Sequence, residues 1–193
     1  MDRMTVNELY TKIYPVQDIA LRKRLVNLTK GKKLKKNEFL FKQDEIDKSI
    51  YFLKAGVVTS SEIHQNGKAN CLGVFFEPGE ILVGGLGPGS PYSPINAVAR
   101  TACEVYELPM SDLYQIMGEY SETILMFYNQ ILLKEYEKQW QIKNMLYLET
   151  AEERYKWFLI HYPGVIDKIS HELIASFLHM SPVTLSRVRK TIR

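Results

Sequence analysis

Apolar residues along this chain follow two rhythms. Up to about residue 110 they come in short runs, rich in β-branched and aromatic side chains and separated by turn residues: Glu38–Lys42, Ser49–Leu53, Val57–His64, Asn70–Phe76, Ile81–Val83 and Asn96–Leu108. Runs of this kind predict strands. Gln65-Asn66-Gly67-Lys68 links two of them, and because an Asn-Gly pair tolerates positive φ at both central turn positions, a hairpin is expected there. Between Pro109 and Pro163 there is no proline and a single glycine, Gly118, and the rhythm turns helical. Many short strands followed by helices predict an α+β fold whose β part is a sandwich, jelly roll or barrel.

Ser121 reads as the N-cap of a helix running to about Leu148, roughly 40 Å at 1.5 Å per residue. Leu125, Tyr128, Leu132, Tyr136 and Trp140 recur at steps of three and four along it, giving an apolar stripe beside Lys134, Glu135, Glu137 and Lys138. A stripe on so long a helix packs either on a second copy of the chain or on its own strands. The abundance of tyrosine and the two tryptophans favour the second copy, so these five residues are the expected dimer interface. Thr150-Ala151-Glu152-Glu153 has the form of a capping box and starts another helix, with Tyr155, Phe158, Leu159 and Tyr162 on one face and a stop at Pro163-Gly164.

The C-terminal residues hold the most specific pattern. Ser170 caps a short helix with apolar Leu173, Ile174, Phe177 and Leu178; His179-Met180 turns; Ser181 caps a second helix that opens on Pro182. Leu185, Val188 and Ile192 face inward, and small Ala175 sits where two helices must cross closely. This is the pattern of a helix-turn-helix, and its outer face has the chemistry of a groove reader. Arg187 can fork onto guanine O6 and N7, Thr184 and Ser186 can bond base edges or phosphate, and the methyl groups of Val183 and Thr184 can meet thymine. Ser181, Arg189, Lys190 and Arg193 suit the DNA backbone. His179 holds the turn position that usually takes glycine.

Charge and composition refine this picture. The chain has 193 residues, 46% hydrophobic, with a formal net charge of +3. That is enough to bury a core in one domain, or two if the second is small. Arg22–Lys36 holds Arg22, Lys23, Arg24, Lys30, Lys32, Lys33, Lys35 and Lys36 and no acid, and is expected to be the solvated face of a surface helix and loop. No apolar stretch is long enough to span a membrane and the N-terminus is polar, so no membrane partner and a cytoplasmic location are expected. Cys71 and Cys103 are too few for a disulfide scaffold, a four-thiolate iron–sulfur centre or a structural zinc site; both are expected as buried thiols.

These motifs together resemble the Crp/Fnr, or catabolite-activator-like, transcription regulators of bacteria. The resemblance covers nearly the whole chain: Glu38-Phe39-Leu40-Phe41, Tyr51 through Val58, Phe76-Glu77-Pro78-Gly79-Glu80, Ala99 through Val105, Ile174 through Leu178 and Thr184 through Lys190. It implies a cyclic-nucleotide-binding-like β-roll over residues 1–120, a dimerisation helix over 121–148, and a winged-helix-type helix-turn-helix domain over 149–193. The partners it implies are a palindromic double-stranded DNA operator, a second copy of the chain, and RNA polymerase. The ending at Arg193 is similar to the short forms found in Bacteroidetes.

One stretch departs from the family. Gly85 stands where cyclic-nucleotide binders place a ribose-holding glutamate, and Ser93-Pro94 where they place the arginine pair that holds the phosphate. Seven of the eleven residues from Gly84 to Pro94 are glycine or proline and none is basic, so any phosphate would rely on backbone amides and hydroxyls. Arg100 is expected to be solvated. Gly84, Gly85, Leu86, Tyr92 and Ser93 are therefore the expected effector pocket, for a small molecule other than cyclic AMP.

Two regulatory alternatives stay open: a cyclic-nucleotide-responsive regulator with a divergent pocket, and a redox sensor using Cys71 or Cys103. An enzyme on a related β-roll would need several histidines and a carboxylate on neighbouring strands, and His64 is the one histidine in the strand-rich half. No catalytic residue, metal site or cofactor is expected.

Overall fold

The computed structural model describes residues 4–85 and 91–192. In chain order the elements are α1 (Val6–Glu8), running into a π turn (Leu9–Ile13); α2 (Ile19–Leu28); the strands β1 (Lys30–Leu34), β2 (Phe39–Phe41), β3 (Ser49–Ala55), β4 (Val58–Ile63), β5 (Ala69–Phe75), β6 (Ile81–Val83), β7 (Asn96–Ala99) and β8 (Cys103–Pro109); and the helices α3 (Met110–Met117), α4 (Ser121–Leu146), α5 (Ala151–His161), α6 (His171–Phe177) and α7 (Pro182–Thr191). The strands form two antiparallel four-stranded sheets, ordered β1-β8-β3-β6 and β2-β7-β4-β5, which face each other as a β-roll. The fold is α+β, as the change of rhythm near residue 110 predicts.

Alternation along β3 and β8 sorts side chains between two cores. Tyr51, Leu53 and Val105 point into the roll, where they meet Leu40, Phe41, Val58 and Phe75. Ile50, Phe52, Tyr106 and Leu108 point outward and are covered by Leu9, Tyr10 and Tyr14 at the N-terminus and by Ile124, Phe127 and Ile131 of α4. A third core joins the other sheet to the C-terminal helices, with Val57, Cys71 and Val74 against Phe158, Tyr162, Ile174 and Phe177.

Several expectations are corrected in detail. The basic stretch Arg22–Lys36 is helix as expected only as far as Leu28, the end of α2; in place of the expected loop, Lys30–Leu34 pairs with β8 as the edge strand β1. An edge strand rich in lysine discourages pairing with other chains, which is why its composition hides its conformation. The hairpin at Asn66-Gly67 forms, but only Gly67 has positive φ (+77°). The Gly67 amide closes a turn onto His64, and the His64 amide bonds Lys68 across it; this is the geometry of an ordinary turn followed by a left-handed glycine. Ser121 is the first helical residue of α4; its N-cap is Tyr120, without a capping side chain, and the helix stops at Leu146. At 26 residues it is about 39 Å long. Arg100 is half-buried and donates from Nε to Thr59 Oγ1 at 2.7 Å. No helix among the described residues is long and apolar enough to cross a membrane.

Candidate nucleic-acid interface and effector cavity

The helix pair at the C-terminus is assembled by local hydrogen bonds. Thr150 and Glu153 cap α5 reciprocally, and Ser170 and Ser181 accept from the amides of Leu173 and Thr184. Between α6 and α7 the chain turns through His179 at φ +50°. The His179 amide reaches Ser176 O at 3.1 Å and the Met180 amide reaches Ala175 O at 2.9 Å, the paired bonds of a Schellman motif. Arg154 of α5, which the sequence does not single out, braces this turn: Nε donates to Leu178 O and a terminal nitrogen to Leu148 O. Ala175 and Leu185 are fully buried at the helix crossing.

This packing aims α7 outward. Ser181, Val183, Ser186, Arg187 and Lys190 are exposed, Val183 by 67%. Among the described residues no carboxylate pairs with Arg187 or Lys190. Thr184 is half-buried and its hydroxyl lies 2.8 Å from Ser181 Oγ, leaving its methyl as the freer group. Arg189 is turned aside, with its guanidinium against the His171 ring at the start of α6. Arg193 lies outside the described residues.

The exposed side of α4 carries Leu125, Leu132, Tyr136 and Trp140, and also Met126 and Leu133, which with Tyr147 at the C-cap extend the stripe by heptad steps. Tyr136 and Trp140 stack on each other across one helical turn. Tyr128 differs from the rest of the expected stripe: it is half-buried, packed on the core between α4 and the roll.

Between α4 and the two sheets lies a cavity of about 410 Å³. Its walls are mainly apolar, from Phe41, Leu72, Phe75, Leu82, Val83, Ile95 and Leu132, with Ser60, Tyr128, Glu135 and Gln139 as the polar members. Of the expected pocket residues, Gly85 lines it. Tyr92 is exposed and bridges to Ile46, Ser93 is buried with its hydroxyl donated to Ile95 O at 2.6 Å, and Leu86 lies outside the described residues. The two glycines have a packing cause. A Cβ on Gly85 would sit 2.2 Å from the Asp47 carbonyl oxygen, and one on Gly84 2.9 Å from Asp47 Cβ, so glycine is what lets the segment before β3 approach.

Cys71 and Cys103 are free and buried. Burial pushes the Cys71 thiol up to about 12, with Arg100 opposing, so it stays protonated and unreactive at neutral pH, which argues against a redox role for Cys71.

Residues 31–120 match the cyclic nucleotide-binding domain family. Over 170 residues the chain is 26% identical to the transcriptional activator protein Anr of Pseudomonas protegens, covering 82% of this chain and 68% of that one. It is 30% identical over 135 residues to the transcriptional activator protein anr of Pseudomonas aeruginosa, covering 68% of this chain and about half, 53%, of the relative. The solved structure of FixK2 from Bradyrhizobium japonicum has the same fold, with a TM-score of 0.71 at 19% identity over 85% of this chain and 84% of that one. With a β-roll, a long helix and a helix-turn-helix in one chain, and with likeness to transcriptional activators along most of its length, the chain belongs to the Crp/Fnr family of transcription regulators.

Proposed function

We propose that the chain acts as a homodimer that reads a palindromic DNA operator through two copies of α7 and responds to a small molecule other than cyclic AMP. The observation that carries the reading is α7 itself. Leu185 anchors it on α6 while Val183, Ser186, Arg187 and Lys190 stand free on the opposite side, at a spacing that fits the major groove. The apolar face of α4, with Leu132 56% and Tyr136 65% exposed, supports dimerisation, because monomers rarely leave such a stripe in water. RNA polymerase is the further partner such a regulator would engage.

The effector part of the reading rests on the cavity beside α4. No lysine or arginine lines it among the described residues, and residues 86–90 contain none. A cyclic phosphate there would be desolvated without a counter-charge. No resident cofactor is assigned. Selection of bound DNA from a random pool, followed by gel shifts on the enriched sequence, tests the operator reading; recovery of two inverted half-sites about one helical turn apart is expected, and an unenriched pool overturns it. Calorimetry with cyclic AMP tests the effector reading: no saturable binding is expected at millimolar concentration, and micromolar affinity overturns it.

A further inference from the structure

Ser60 sits on β4 with only 4% of its surface exposed, and it lines the cavity between the roll and α4. Its hydroxyl has no hydrogen-bond partner among the described residues, although its neighbours Thr59 and Asn96 both do. The residue is buried, yet its hydroxyl is not among the fully covered unpartnered oxygens, of which the described residues show Asp47 Oδ2; it opens onto the cavity and is placed to meet a ligand. Tyr128, on the α4 side of the same cavity, likewise shows no bonded partner for its hydroxyl. Among the described residues the one charged lining group is Glu135, a carboxylate. Of the two lysines beside it on α4, Lys134 lies over the Tyr14 ring and Lys138 is turned to Glu80 and to Val74 O on β5. Arg100 bonds Thr59, which precedes Ser60 and so points to the other face of the strand.

We propose that this cavity binds an uncharged, largely apolar organic molecule carrying one hydrogen-bonding group, anchored on the Ser60 hydroxyl, and that it rejects anions as a class. This rests on the reading of the roll as an effector domain and deepens it by naming the ligand chemistry. The volume of about 410 Å³ suits a bicyclic aromatic or a molecule of similar size. Phe41, Phe75, Leu82 and Ile95 supply apolar wall for the body of such a molecule. Its hydroxyl or carbonyl would complete the bonding that Ser60 lacks within the protein. An anion would enter a wall that offers no cation among the described residues and already carries Glu135, so desolvation and like-charge repulsion act in the same direction.

The probes are 2-(2-naphthyl)ethanol and 2-naphthylacetate, which share a ring system and differ in charge, titrated into the full-length protein by calorimetry. The alcohol is expected to saturate and to bind at least about tenfold tighter than the acid. Ser60→Ala should weaken the alcohol by about five- to tenfold, the loss of one hydrogen bond, with little effect on the weaker acid. Leu72 is partly exposed and lines the cavity, so Leu72→Trp can fill it from the side without disturbing the core, and it should abolish binding of the alcohol. The proposal is overturned if neither probe saturates at millimolar concentration, if the acid binds as tightly as the alcohol, or if both variants bind the alcohol as the parent protein does. Gel shifts without any probe report on the DNA-binding reading separately, so the two fail independently.

Discussion

The backbone amide of Cys71 in β5 donates to the Ser176 hydroxyl of α6 at 2.9 Å, so one sheet of the β-roll and the first helix of the helix-turn-helix share a hydrogen bond. The bond lies in an apolar contact: Cys71, Val74, Ile174 and Phe177 belong to one core, and Phe76 and Tyr162 meet ring to ring nearby. Through Lys138, which reaches Glu80 and Val74 O, the same sheet is tied to α4. The β5 wall of the cavity and the C-terminal helices therefore meet in one packed contact.

Removing that shared bond leaves a strand amide without its partner. Ser176→Ala should cost about 1–3 kcal/mol of stability in urea unfolding and speed hydrogen exchange at the Cys71 amide, while distant amides in β3 and β8 keep their protection relative to the global value. Unchanged exchange at Cys71 would mean that the bond contributes nothing to the docking of the two parts.

His179 offers a test of opposite sign. It occupies the left-handed position of the Schellman turn, where a Cβ crowds the following carbonyl, and its side chain is exposed with no hydrogen-bond partner in the described residues. His179→Gly should raise stability by about 1 kcal/mol, since relief of the strain outweighs the extra freedom glycine gives the unfolded chain. His179→Ala keeps the Cβ and should stay within about 0.5 kcal/mol of the parent. Calorimetric melting of the three proteins decides it; a loss of stability on glycine would reveal a contact made by the imidazole.

The features legible in the sequence are those fixed by neighbours along the chain. Thr150 and Glu153 are three residues apart, and so are Ser181 and Thr184, so their caps could be read without a fold. The strand Lys30–Leu34 could not, because what makes it a strand is its register with Cys103–Glu107 rather than its own residues. Gly84 and Gly85 read as a phosphate-cradling loop, yet their smallness answers Asp47, some forty positions away. Ser60 gave no signal at all. A serine in a strand looks like a solvent-facing residue until the sheet is closed and α4 lies across it. The stripe on α4 was legible except at Tyr128, which the roll draws inward.

That stripe carries the third prediction. Leu132 and Tyr136 are largely exposed in the single chain, so changing both to glutamate leaves the fold of one protomer little affected. In a dimer the same two charges would be buried against an apolar partner face without counter-charges, at a cost of several kcal/mol. Sedimentation should show monomers for the double variant at concentrations where the parent is dimeric, with an unchanged circular dichroism spectrum. Dimers that persist would place the interface elsewhere on the molecule.

The last prediction separates sequence reading from backbone attraction on α7. Arg187 stands in the middle of the exposed side with no carboxylate partner among the described residues, and it is the outward side chain there that can make a bidentate bond to guanine. Lys190 lies one turn further along and, as a point charge, is suited to phosphate. Arg187→Ala should therefore cost about 1–3 kcal/mol on the selected operator and relax preference at one base pair in each half-site. Lys190→Ala should weaken all sequences alike and lower the salt slope by about one unit per contact removed. Arg189 provides an internal control: with its guanidinium held against His171, its replacement by methionine should alter base preference less than Arg187→Ala does. The measurement is a set of gel-shift titrations at several salt concentrations on the operator and on single-base variants of it. If Arg187→Ala weakens every sequence equally and leaves the preference intact, the arginine grips phosphate, and the bases are read by Val183, Thr184 and Ser186 instead.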